Sequence, residues 1–291
     1  MPSRRALAVS GLAALVAVAR WHAAAHADPA AVRRKVAVAT WRAPKEGRLL
    51  SRVVVDADPL LDYVAGRRAA GAQGLNLVHV LGAACARALL AVPQVNARVL
   101  GGRAVPFADV AVGFAVDVGG GTDLAPVTVR GADRLTPAAL ATEVRRGVAA
   151  VREGRDAGFR RSTRVAAAVP APLLRPLLAV SSLVLGGLGL PLLGQQGHPL
   201  GAVFVSNLAP LGLEEAFLAP VPFARAHVYV ALGAVTERAV VRAGEVVAVR
   251  QLTLCLTADH RLVDGVQCAA YVSRLQTLLA DPAALDLPVA A

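Results

Sequence analysis

The sequence predicts an α/β sandwich, in α+β arrangement, with one mixed sheet and flanking helices. Three observations carry that expectation. Strand-like alternation and helix-like periodicity are interspersed along the chain rather than segregated. Several strand runs are joined by short turns, as in meanders or hairpins. The 291 residues are 56% hydrophobic, enough for a large core.

In order, Val36, Val38 and Thr40 share one side of an alternating segment, and Leu49 to Asp56 reads as a second strand. Asp58-Pro59 opens a helix, with Asp as the cap and Pro in the first turn. A helix runs from about Asn76 to Leu90 and ends at Pro93-Gln94-Val95-Asn96-Ala97. Asp109 to Asp117 and Leu124 to Arg130 read as strands around Gly119-Gly120-Gly121. Those glycines lack the spacing of a phosphate cradle and form a turn. Thr136 caps an amphipathic helix to Arg152. Basic residues cluster from Arg152 to Arg164.

Leu173 to Leu193 is strongly apolar, with no charge after Arg175. Pro176, Pro191 and Gly186-Gly187 interrupt it, so the expectation is an apolar helical insertion of about residues 170–196, forming a buried or surface-lying hairpin rather than a crossing helix. Peripheral membrane contact through 173–193 is a second reading. Gly201 to Ser206, His227 to Val235 and Val246 to Thr257 read as strands. Arg242-Ala243-Gly244-Glu245 turns a hairpin, a helix spans Val266 to Leu279, and Asp281-Pro282 ends the fold.

Residues 1–34 read as an extension. Arg4-Arg5 before the apolar run Ala6–Ala19, with Ala25-His26-Ala27 beyond, resembles a secretory signal. Arg20, Trp21 and His22 interrupt it, and a simple helical extension or a misplaced start codon fits equally well. The formal net charge is +11, yet only Lys35 and Lys45 are lysines. An Arg-, Ala- and Val-rich composition fits a GC-rich coding sequence, and a basic surface could also attract a polyanion. Aromatics make up 4%, which argues against a base-stacking platform, so no nucleic-acid partner is expected. Cys85, Cys255 and Cys268 lack disulfide or zinc spacing and read as small apolar residues. No metal is expected.

The most informative stretch is Asp259-His260-Arg261-Leu262-Val263-Asp264-Gly265, between a strand and a helix. A histidine at such a corner can reach a cleft while rigid elements hold it, and its ordinary pKa suits a general base. Asp264 could orient the loop or pair with an arginine; Gly265 permits a tight turn.

This stretch resembles the D-H-R-x-x-D-G signature of the dihydrolipoyl acyltransferase catalytic domain of 2-oxo acid dehydrogenase complexes. Other landmarks follow that family's order: Pro93-x-Val95-Asn96-Ala97, Asp109-Val110-Ala111-Val112 through Ala125-Pro126-Val127, Ala132-Asp133-Arg134, Phe204-Val205-Ser206-Asn207-Leu208 and Asp281-Pro282. The resemblance covers residues 35–288. It implies a chloramphenicol-acetyltransferase-like fold and a homotrimer with sites between subunits. It further implies that His260 is the base, that Ser206 steadies the oxyanion, and that Asp264 is structural. Coenzyme A is then a substrate, and the acyl acceptor is a thiol or another group. Arg261, Arg164 and Arg175 are candidates for its phosphates, although Arg261 could pair with Asp264 instead.

The stretch before residue 35 is too short for the family's lipoyl domain, so no lipoyl group is expected on this chain. Asn207-Leu208-Ala209-Pro210 also departs from the family's N-L-G. Two other readings remain: a non-catalytic scaffold with the same fold, and a membrane-associated acyltransferase. The latter's H-H-x-x-x-D-G pattern has Asp259 in place of its first histidine. Use of acyl-coenzyme A points to the cytoplasm.

Overall fold

The computed structural model describes residues 17, 32, 47–118, 120 and 124–289. The strand expected at Val36–Thr40 and nearly all of residues 1–34 lie outside them. The central strand is β9, Glu245–Asp259, whose C-terminal half is almost wholly buried. Its run of Leu252, Thr253, Leu254, Cys255, Leu256 and Thr257 has β-branched or apolar residues on both faces, as a strand covered on both sides requires. Strand β1 (Arg48–Asp56) pairs antiparallel along one side of β9, from Arg48 opposite Asp259 to Asp56 opposite Gln251.

On the other side, β7 (Val228–Leu232) and β8 (Thr236–Arg242) take successive lengths of β9. The sheet continues through β6 (Val203–Asn207) and β4 (Val112–Asp117) to β5 (Leu124–Val129). Strands β4, β6 and β7 run parallel, and the other pairings are antiparallel, giving the expected mixed sheet. A separate ribbon joins β2 (Ala97–Leu100) to β3 (Arg103–Pro106).

One face of the sheet carries the main core. Val203 and Val205 of β6, Val112 and Phe114 of β4, and Val228 and Val230 of β7 all point into it. The helix laid across it is α2, Leu77–Ala91, following α1, Asp58–Ala69. Helix α2 is buried nearly all round and built largely from small residues, so the sheet can approach closely. A methyl group on Gly82 would fall 2.4 Å from the Phe114 ring. Asn76 and His79 close a reciprocal cap on α2: Val78 N–H donates to the Asn76 side chain, and Asn76 N–H donates to His79 Nδ1. Burial, with Arg145 and Arg68 nearby, pushes the His79 pKa down to about 4, so this acceptor is neutral. Helix α3, Pro137–Arg152, starts at the expected Thr136 cap and packs on α2 and β5.

Some boundaries differ from the sequence reading. The cap of α1 is Ala57, without a side-chain bond; Asp58 is already helical and its carboxylate pairs with Arg250 at 2.6 Å. The Arg-rich stretch after Arg152 forms an unforeseen helix, α4, Ala157–Ala168. Its Asp156 cap accepts from Phe159 N–H at 2.7 Å. The apolar stretch is helical, but it does not fold back as a hairpin: α5, Ala171–Ser181, contains Pro176 and widens into π-helical turns over Ser182–Leu188. By length and composition Ala171–Leu188 could cross a membrane. In this fold Leu174 packs with Ala166 of α4, the inner face looks across a cavity to the sheet, and Leu173 and Val180 are more than half exposed. Of the glycine turn, only Gly120 is described, at φ 62°.

Candidate active site

The motif corner begins where β9 ends. Asp259 is almost fully buried, and its two oxygens are used completely. Oδ1 accepts from the backbone N–H of Arg261 at 3.0 Å and from its Nε at 2.9 Å. Oδ2 accepts from Arg261 Nη2 at 2.6 Å and from His227 Nδ1 at 3.0 Å. Burial pushes the carboxyl up, but the hydrogen bonds from His227 and Arg261 outweigh it and hold Asp259 well below the usual carboxylate range. Arg261 therefore pairs with Asp259, not with Asp264.

His227 is also buried, just ahead of β7. Its Nε2 accepts from Val99 N–H of β2 at 3.3 Å, so Nδ1 carries the proton given to Asp259. A polar line thus runs from the β2–β3 ribbon through His227 and Asp259 to the corner. The same ribbon takes Arg225, whose Nη1 donates to Val99 O at 2.9 Å. Neither Asp259 nor His227 has a role that sequence spacing could show. They are 32 residues apart, and only the pairing of β7 with β9 brings them together.

His260 sits between these anchors. Its backbone N–H donates to Gly47 O at 3.2 Å, and the residue itself is exposed. The N–H groups of Leu262 and Val263 both donate to Asp259 O, which shapes the turn. Val263 then plugs into the core. Asp264 caps the last long helix, α6, Gly265–Ala280. Its Oδ1 accepts from Val266 N–H at 2.8 Å and Gln267 N–H at 3.2 Å, while Gln267 Oε1 accepts from Asp264 N–H at 3.0 Å. Here its carboxylate is a cap that fixes where the corner becomes helix.

Ser206 lies on β6, facing away from the main core. Alternation sends Val203 and Val205 inward, and Phe204 and Ser206 to the opposite face. Over that face, α4, α5 and the π-helical turns wall one side of a half-open cavity of about 530 Å³ with Ser206 in its lining. Within one protomer the structure does not bring Ser206 and His260 together. Ser206 is in register with Ala231, which is in register with Cys255. His260 is five residues further along, so about 20 Å separates the two residues at ~3.4 Å per residue and ~4.8 Å per strand.

Cys85 and Cys255 are buried and Cys268 is half-buried, all as free thiols. Burial pushes the Cys85 thiol up to about 12, which suits packing and not nucleophilic attack. Among the described residues no cluster of three or more His, Cys, Asp or Glu is placed to hold a metal.

Comparison with known proteins follows the same division of the chain. In Bacillus subtilis (strain 168), the dihydrolipoyllysine-residue acetyltransferase component of the pyruvate dehydrogenase complex is 41% identical over 51 residues. That match covers 18% of this chain and 12% of the relative. A probable dihydrolipoamide acetyltransferase from Listeria monocytogenes superimposes with a TM-score of 0.62 at 16% identity, covering 86% of this chain and 89% of that one. The Azotobacter vinelandii dihydrolipoamide acetyltransferase gives 0.62 at 20% identity, covering 88% of each chain. These two likenesses are of fold. The sequence model of the 2-oxoacid dehydrogenases acyltransferase (catalytic domain) matches residues 31–157 and 198–287, passing over the segment that carries α4, α5 and the π-helical turns. With three quarters of its length matched in this way, and the motif corner inside the match, the chain belongs to the family of the 2-oxoacid dehydrogenase acyltransferase catalytic domain.

Proposed function

We propose that this chain moves an acyl group between coenzyme A and a thiol acceptor, with His260 as general base and Ser206 as oxyanion donor. The observation that carries the reading is the state of the imidazole. His260 is exposed on a corner whose neighbours are locked by buried hydrogen bonds, so it is oriented yet open to a substrate. In the Azotobacter enzyme, a serine, a histidine and an asparagine were investigated for their part in the catalytic mechanism. There the asparagine follows the histidine by four residues, as Asp264 follows His260, and the serine precedes it by 52 residues, against 54 here.

In the forward direction, the imidazole of His260 takes the proton of the acceptor thiol. A thiol pKa near ~8.5 makes that transfer easy for a group of histidine's basicity. The thiolate attacks the thioester carbonyl carbon and forms the new C–S bond. Negative charge moves to the carbonyl oxygen, where the Ser206 hydroxyl donates to it. The intermediate collapses, the C–S bond to coenzyme A breaks, and the imidazolium returns the proton to the departing thiolate. Asp264 takes no proton in this scheme; it holds α6 against the corner.

Because about 20 Å separates the residues in one protomer, the reading needs His260 of one protomer beside Ser206 of the next, in a closed ring such as a homotrimer. The hairpin of β8 with the start of β9 supports assembly, since it projects with Val241 and Val246 more than two-thirds exposed. The cytoplasm follows as the compartment that supplies acyl-coenzyme A. The outward Leu173, Val180 and Leu183 support peripheral membrane contact, which liposome flotation with and without residues 173–193 tests.

The chemistry is tested by acyl exchange between acetyl-coenzyme A and a dithiol. Exchange should require His260; equal background rates for wild type and His260→Ala would sink the reading. Mixing the His260→Ala and Ser206→Ala proteins under subunit exchange should restore about a quarter of wild-type sites in a cyclic assembly. No recovery would place both residues of each site in one protomer or outside the reaction.

A further inference from the structure

The segment outside the family match builds one wall of a cavity whose other wall is the sheet around Ser206. Helix α4 is divided lengthwise. Phe159, Ser162, Val165 and Ala166 line the cavity, while Arg160, Arg161 and Arg164 lie exposed on the other side. Helix α5 adds Leu174, Leu177 and Leu178, and the sheet adds Ala115, Phe204 and Tyr229. The segment is tied to itself: Gly158 of α4 packs so closely on the Gly194 backbone that a methyl group there would fall 2.5 Å from Gly194 O.

The chemistry of the wall is nearly uniform. It contains no charged side chain. Most of its polar groups are engaged locally: Ser162 Oγ donates to Phe159 O, Gln195 Nε2 donates to Ser162 Oγ, Ser181 Oγ donates to Leu177 O, and Tyr229 Oη accepts from Val221 N–H. A cavity with such a lining does not select a sugar, a nucleotide or a charged metabolite, each of which would lose hydrogen bonds on entry. At roughly 30 Å³ for each group the size of a water, there is room for on the order of ten or more methylenes. An acetyl group would leave it almost empty.

We infer that this cavity receives the aliphatic chain of a medium- or long-chain acyl thioester, with the thioester carbonyl at Ser206 and the chain running between α4, α5 and the sheet. The inference rests on the acyl-transfer reading and narrows its substrate class. Chain length is selected by burial, each methylene that enters tightening binding by about three- to fourfold until the cavity is full. The arginines on the outer face of α4 give the anionic carrier a favourable field close to the cavity.

The test separates binding from chemistry. S-ethyl- and S-dodecyl-coenzyme A are thioethers that cannot transfer an acyl group. Titrated calorimetrically into the full chain, the dodecyl form should bind at least 100-fold more tightly, with a more negative heat-capacity change. Leu178→Trp, which fills the cavity from α5, should reduce the dodecyl-to-ethyl affinity ratio at least tenfold. Thr163→Phe does the same from α4, should the tryptophan unfold the chain. Equal affinity for the two thioethers in the wild type overturns the inference, as does a ratio that survives both plugs. Length-dependent binding without His260-dependent exchange leaves the cavity assignment standing and removes the chemistry. Exchange that requires His260 but runs equally on acetyl- and dodecanoyl-coenzyme A does the reverse.

Discussion

At one end of the sheet, His260 hangs on a corner fixed by hydrogen bonds to the buried Asp259; at the other, Ser206 looks into a cavity walled mostly by apolar side chains. The first end uses direction. Asp259, His227 and Arg261 match donors to acceptors in one arrangement, and that arrangement fixes the backbone that carries the imidazole. The second end uses shape and an apolar, uncharged lining, which strengthens a hydroxyl's interaction with developing charge once an acyl chain fills it. A proton acceptor needs orientation, whereas an acyl chain needs exclusion of water. The directional end lies inside the family match, and half of the apolar end is made by residues outside it. On the proposed reading, the proton chemistry lies in the matched part of the chain while the segment outside it sets what the centre holds.

The largest expected effects fall on turnover. His260→Ala should lower kcat about 10³-fold, within the usual range for a positioned base. Its melting temperature should hardly move, because the side chain is exposed. Ser206→Ala should cost about 10²-fold in kcat, from the loss of one oxyanion donor. If either variant instead loses stability in proportion to activity, that end of the sheet is structural, and the contrast between the ends collapses. Denaturant melts alongside single-turnover rates decide it.

Next comes the polar line behind the corner. His227→Phe roughly keeps the volume but leaves Val99 N–H without its acceptor and Asp259 Oδ2 with Arg261 as its remaining donor. Stability should fall by about 3 kcal/mol, because a buried carboxylate loses a donor. His227 touches no substrate, so its effect on turnover should appear in kcat more than in KM, and His227→Asn should recover part of it. Unchanged kcat would mean that Arg261 and the Gly47 contact orient His260 without help.

How much of this could be read in advance depends on sequence distance. The corner was legible because its parts are contiguous: an alternating strand, a charged turn and an amphipathic helix. The Thr136 cap and the last helix were legible for the same local reason. The partner of Asp259 was not, because His227 reads only as the start of a strand until β7 and β9 are placed side by side. Helix α4 was hidden by its arginines, whose regular spacing matters only once a wall exists for the opposite face. Proline and paired glycines within 173–193 read as breaks, yet Pro176 is carried inside α5 and the glycines fall in π-helical turns. At Asp58 the local cap signal was right in kind and one residue out in place, since Arg250 captures the carboxylate. The cavity itself has no linear signature.

Acid should act on both ends together, through the core they share. His79 is buried in neutral form with its pKa lowered from 6.5 to about 4, so the unfolded chain binds this proton more readily. Stability is therefore full above about pH 6.5 and is lost as pH falls toward 4, by ~2 kcal/mol between pH 7 and pH 5 from this residue. His79→Gln keeps a reciprocal cap partner for Asn76 without the titration. Urea melts at the two pH values should show a smaller acid loss in that variant. An identical loss would put the acid sensitivity elsewhere.

The smallest expected effect is also the one that tells a cap from a proton carrier. Asp264→Ala removes the acceptor for Val266 and Gln267 N–H and should cost about 1 kcal/mol of stability. Asp264→Asn keeps an acceptor oxygen at the same place and should return most of that stability. If Asp264 only caps α6, kcat in the asparagine variant should stay within about threefold of wild type, with the same pH profile. A large kcat loss in Asp264→Asn at undiminished stability would give the carboxylate a charge-dependent role at His260. The corner would then be catalytic on both sides of the turn, and orientation alone would no longer describe that end of the sheet.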